Sequence, residues 1–253
     1  MAPQRSPRQQ QLDQRAAEEM EWARWAVGRW SEFPVDQVPR PVVLVSSRVH
    51  AEGGFATGEA KMAFIEGRWD PAVEVPAPVL DELRRHGRAA RSGGPALVVT
   101  SAELAESEFV TDRGRRSLPA WRLTVEGALG PIWVLDPEIV DWRPSEGAGG
   151  APPRLPAPRQ DPGARARVGA DERALVVEWL GAVPAFERYP SAEVIESAQA
   201  FTVVAAGVDV GPAGNRTLAG HMHQVPALLT SPVGDRVYVD LHGHAGQVIT
   251  ADR

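Results

Sequence analysis

From residue 12 to residue 31 apolar and charged positions interleave without a proline, and the spacing predicts a helix that Pro34 closes. It carries Trp22, Trp25 and Trp30. At 100° per residue these spread over roughly a third of the circumference or more, a wide aromatic face for packing on the body of the protein. The alternative is a helix that docks on a partner or a membrane surface, although its acidic turns disfavour anionic lipid. Beyond Pro34 the period shortens towards two. Pro41–Val49 and Thr57–Ile65 read as strands on either side of a Gly53–Gly54 turn, and residues 78–86 as a short helix with Gly87 just past its end. Ala96–Thr100, Glu108–Thr111, Trp121–Glu126 and Ile132–Leu135 follow as short strands punctuated by Gly and Pro, the pattern of a sandwich or partly open barrel.

The alternation then stops. Residues 143–169 hold almost nothing that can be buried, and their prolines break any regular ladder. They read as a linker, or as an ordered strap with extended backbone. Strand patterns resume at Leu175–Leu180, Glu193–Ser197, Phe201–Ala205, Leu218–Leu229 and Arg236–His242. The expected organisation is an unstructured tail (1–11), a helix with a β module (12–142), a linker (143–169) and a second β module (170–253). The expected class is α+β, mainly β, with two sandwich- or barrel-like modules.

Composition narrows the functional classes. The net charge of −6, from 33 acidic and 27 basic residues, argues against a nucleic-acid binder, which needs a clustered positive surface. The absence of cysteine removes disulfides, thiolate metal sites and thiol nucleophiles together. Lys61 is the only lysine among many arginines, a GC-rich signature. The opening residues lack the apolar core of a signal peptide, and no apolar run is long enough for a membrane span. The expected location is cytoplasmic, or secreted or envelope-associated if the amino terminus has been truncated. The segments TDRGRRSLPAWRL (Thr111–Leu123), PIWVLDP (Pro131–Pro137) and SPVGDRVYVD (Ser231–Asp240), with the tryptophan helix, resemble a group of actinobacterial proteins without an assigned activity. That resemblance implies a β-rich fold and a bacterial source, and no catalytic residue.

Motifs for nucleophilic or phosphate chemistry are missing: there is no GxSxG, P-loop, HExxH or GxGxxG between a strand and a helix. The carboxylates Glu103, Glu106, Glu108 and Asp112 are read as a solvated sheet edge in preference to an acid/base pair. Asp209–Asn215 has calcium-like donors without the alternating ligand spacing and reads as a turn. Histidine placement is the exception. His221 and His223, then His242 and His244, form two HxH pairs, and in a strand residues i and i+2 share a face. If Ser231–Gly234 is a hairpin loop with Thr230 facing Asp235, all four imidazoles and Asp240 converge as ligands for zinc, copper or nickel. A one-residue slip would send the pairs to opposite faces. The leading functional expectation is a non-enzymatic interaction or structural protein that binds another protein through sheet edges or the tryptophan helix. The alternatives are a histidine-ligated metal protein or metalloenzyme, and a small-molecule-binding β module. The sequence leaves the oligomeric state open.

Overall fold

Ser6 starts the first helix. Its hydroxyl accepts the Gln9 N–H at 3.0 Å, Pro7 occupies the first turn, and α1 runs over Pro7–Gly28. The helix therefore begins inside the expected tail. A computed structural model describes residues 6–88, 94–158, 165–211 and 220–250, so the first five residues of that tail lie outside it. The fold is mainly β, with two further helices and twelve strands among the described residues. None of the described helices is long and apolar enough to cross a membrane.

Two compact units emerge. One comprises residues 46–111 and 115–141, the other residues 1–45, 112–114 and 142–253. In the first, the sheet order is β1 (Val49–Ala51), β5 (Ile132–Leu135), β4 (Gly114–Val125), β3 (Leu97–Thr111) and β2 (Trp69–Pro71). Helices α2 (Gly58–Ile65) and α3 (Ala77–His86) contribute Ala63, Val79 and Leu83 to a core with Leu97, Val99, Leu123 and Ile132. Three expectations are corrected here. Thr57–Ile65 is a helix and not a strand, because the Thr57 hydroxyl caps the Ala60 N–H and few of the following residues are β-branched. Ala96–Thr100 and Glu108–Thr111 are the two ends of one strand, β3. Residues 41–48 are largely irregular, with isolated bridges at Val42 and Leu44.

The second unit holds α1 and two sheets. One sheet has the order β10 (Gly220–Leu228), β7 (Ala174–Ala182), β6 (Arg165–Val168) and β12 (Gln247–Thr250). The other has β11 (Val237–Tyr238), β9 (Ala200–Asp209) and β8 (Glu187–Glu196). The buried side of α1 is narrow (Leu12, Ala23, Ala26, Val27) and lies against β9 and β8. Small alanines let the helix backbone approach the sheet. α1 thus belongs with the carboxyl-terminal strands, whereas its place in the sequence joins it to residues 34–142. The segment expected as a linker is part of this unit. Residues 165–168 of it form β6, and its first part is an ordered strap whose carbonyls take the α1 indole N–H groups: Trp22 donates to Pro156 O at 3.0 Å and Trp25 to Gly150 O at 3.2 Å. Residues 159–164 lie outside the described part.

Candidate functional site

The hairpin that would have gathered the four histidines does not form. β10 pairs antiparallel with β7, setting His221 opposite Gly181 and His223 opposite Trp179. The chain after Gly234 joins the other sheet, where β11 runs parallel to β9. His221 and His223 share one face of β10, with ring centres 4.9 Å apart, and His242 and His244 stack on each other 6.1 Å apart in a turn. Among the described residues no three His, Asp or Glu side chains form a metal-ligand set.

Along β10 the even positions face outwards, while the odd ones lie on the core side with fully buried Val225. The two histidines therefore sit at the rim of the core, beside buried Tyr189. The Tyr189 ring occupies the space that the missing side chain of Gly181 leaves, and its ring centre lies 4.8 Å from that of His223 in an edge-on arrangement. Its hydroxyl donates to Glu187 Oε2 at 2.8 Å, and Arg8, from the first turn of α1, donates to Glu187 Oε1. Burial pushes the Glu187 carboxyl up, but the hydrogen bonds from Arg8 and Tyr189 outweigh it and hold the group below the ordinary carboxylate value. On the other side, His223 Nε2 lies 2.6 Å from Ala182 O. Only the histidines of this cluster drew attention in the sequence; nothing local marks Glu187 or Tyr189.

The second HxH pair has a different task. Asp240 Oδ1 accepts the backbone N–H of His242 (2.9 Å) and of His244 (2.8 Å), while Oδ2 lies 3.3 Å from His244 Nδ1. Gly243 holds a φ of +78°, and its carbonyl accepts the Trp30 indole N–H at 3.0 Å. The Asp240 hydrogen bond raises the His244 pKa, against an opposing push from burial. A raised folded-state value means that the pair contributes below the ordinary imidazole pKa and is lost as pH rises through the raised one. In Asp240→Asn the His244 titration, followed by ring-proton NMR, should move down in pH. Asp240→Ala should also cost about 1–2 kcal/mol by removing the backbone acceptor.

The other groups singled out in the sequence are committed elsewhere. Glu103 bonds Arg122 (2.7 Å), Glu106 bonds Ser117 (2.8 Å) and Glu108 bonds Arg115 (3.2 Å), all at the surface. Asp112 is buried and takes a two-pronged grip from Arg40. Asp209–Asn215 lies partly outside the described residues; Asp209 accepts the Ser6 hydroxyl. Ser47 Oγ lies 3.0 Å from His86 Nδ1, a contact the sequence did not announce. That hydroxyl also accepts the Val49 N–H, and the neighbouring Glu82 is paired with Arg48 and Arg85, so the cluster pins α3 to its surroundings.

The outer face of the four-stranded sheet is the other unusual surface. Register places Ile249, Arg167, Val176 and Pro226 in one row across all four strands. Leu228 (64% exposed) and Met222 (44%) extend it along β10, and Val176 and Ile249 are each more than a third exposed. Arg165 and Arg167 face the same way, with Glu178 near Arg167 at 3.7 Å. No family model matches this chain, and neither a curated protein nor a solved structure matches it.

Proposed function

We propose that the protein is a non-enzymatic binding module that holds another protein against the outer face of the β10-β7-β6-β12 sheet. The supporting observation is the row Ile249–Arg167–Val176–Pro226, apolar except for Arg167, with Leu228 and Met222 along β10, in register and open to solvent. Scattered apolar residues are ordinary on a surface; apolar side chains aligned on three of the four strands, with arginine between them, are a feature of interaction faces. Two arginines against one half-buried glutamate leave the face net positive. This favours an acidic rim on the partner and disfavours two copies of the same face meeting each other.

The double variant Val176→Glu/Leu228→Glu tests this. Both positions are exposed, so stability should change by no more than about 0.5 kcal/mol each. A protein captured in stoichiometric amount by the wild type should lose at least about tenfold in affinity for the variant, given the cost of burying unpaired charge. Its methyl NMR footprint should fall on Val176, Leu228 and Ile249. A footprint elsewhere, or unchanged affinity, overturns the reading. Self-association in sedimentation that the variant abolishes would instead assign the face to a second copy.

A further inference from the structure

We propose that His221 and His223 form a chelating site for a single divalent late first-row metal ion, copper above all, at the inner rim of β10. This inference is independent of the protein-docking face, which is carried by the even positions of the same strand. Three observations support it.

The first is separation. In an imidazole complex the ring centre lies about 3.2 Å from a metal held at 2.0–2.1 Å, so two adjacent ligands at 90–110° place their ring centres about 4.5–5.2 Å apart. The two rings stand 4.9 Å apart. The His242–His244 pair, at 6.1 Å with near-parallel rings, does not meet that condition.

The second is the tautomer. A carbonyl oxygen only accepts, so the 2.6 Å contact to Ala182 O requires the proton of neutral His223 to sit on Nε2. Nδ1 then carries the lone pair. A ligating histidine ordinarily donates its other ring nitrogen in this way, which fixes the ring and raises the basicity of the coordinating nitrogen. His244, by contrast, directs Nδ1 at Asp240.

The third is access. His221 is exposed to solvent, and across the ladder it faces Gly181, whose side-chain space the Tyr189 ring fills. Tyr189 bounds the site on the core side, with its hydroxyl engaged by Glu187. Two imidazoles, with the remaining positions taken by water, suit Cu²⁺ first and Ni²⁺ or Zn²⁺ after it, following the ordinary affinity series. Because both ligands must be deprotonated to bind, uptake should release protons and weaken in acid.

The test is a Cu²⁺ titration of tag-free full-length protein, read by electron paramagnetic resonance and by quenching of tryptophan fluorescence, since Trp179 stands directly across from His223. One equivalent should bind with a spectrum showing nitrogen ligands. His221→Ala and His223→Ala should each weaken binding at least tenfold, and His242→Ala/His244→Ala should leave it unchanged. His223→Ala also removes the contact to Ala182, so if it unfolds, the exposed His221→Ala decides the matter. No uptake by the wild type, full binding by His221→Ala, or loss in the His242→Ala/His244→Ala variant overturns the proposal.

Discussion

Glu187→Ala should lower the free energy of unfolding by about 3 kcal/mol, read from urea denaturation at neutral pH. The carboxylate is 2% exposed and accepts from both Tyr189 and Arg8. Its removal leaves a buried phenol without its acceptor and opens a gap under the amino-terminal turns of α1. Arg8 is 40% exposed and can turn back to water, which holds the loss below that of a fully buried pair. Glu187→Gln keeps an acceptor for the Tyr189 hydroxyl and should lose roughly half as much. The pH dependence follows from the depressed carboxyl. The group stabilises the fold above its unfolded-state value, and that contribution disappears as pH falls through the lower folded-state value. Both variants should therefore show a flatter acid limb of stability than the wild type. An unchanged acid limb would mean that the ion pair does not report on folding.

How far the sequence carries depends on where each signal is stored. The apolar run Ile132–Leu135 is buried at every position and stands as a strand with the expected bounds, because a fully covered strand needs no alternation. α3 ends where Gly87 says it should, and the reason is tertiary as well as local: a Cβ at Gly87 would meet the Gly67 backbone at 2.5 Å. Thr57 was a legible cap that the strand-like look of Ala63–Ile65 obscured. The middle of β3 could not be read, since Ser101, Glu103, Leu104 and Glu106 are exposed on both faces and leave no period to detect. The histidine pairs divide along the same line. That i and i+2 share a face is a local property, and it holds for His221 and His223. Which strand lies opposite is not local. Nearness in sequence favoured residues 235–244, but the ladder goes to β7, where Val177, Leu175 and Val225 fill one buried side together. Glu187 and Tyr189 carry no sequence signal because their meaning comes from Arg8, which α1 brings to them from the other end of the chain.

Gly181→Ala should be about as costly as losing the Glu187 carboxylate. At this position glycine provides room for an aromatic ring: a Cβ would lie 2.5 Å from Tyr189 Oη and 2.7 Å from its Cζ, inside van der Waals contact. The ring cannot retreat freely, because Gly207 lies at its other edge. Overpacking of this kind costs about 1–3 kcal/mol, and displacing the hydroxyl from Glu187 adds about 1 or more, so a loss near 3 kcal/mol is expected. Gly207→Ala should be milder, about 1 kcal/mol, since its Cβ would stand 3.2 Å from the same ring and 3.3 Å from flexible Leu12. Gly58, the first residue of α2, has nothing within 4 Å, and Gly58→Ala should be neutral or slightly stabilising. The order 181 above 207 above 58, measured by thermal or urea unfolding, tests whether glycine at the first two positions serves the ring and not the backbone. Equal costs at 181 and 207 would contradict it. The displaced ring has one further consequence. Tyr189 stands 4.8 Å from His223, so Gly181→Ala should change the Cu²⁺ affinity of the His221–His223 pair even where the protein remains folded, while Gly58→Ala leaves that affinity alone.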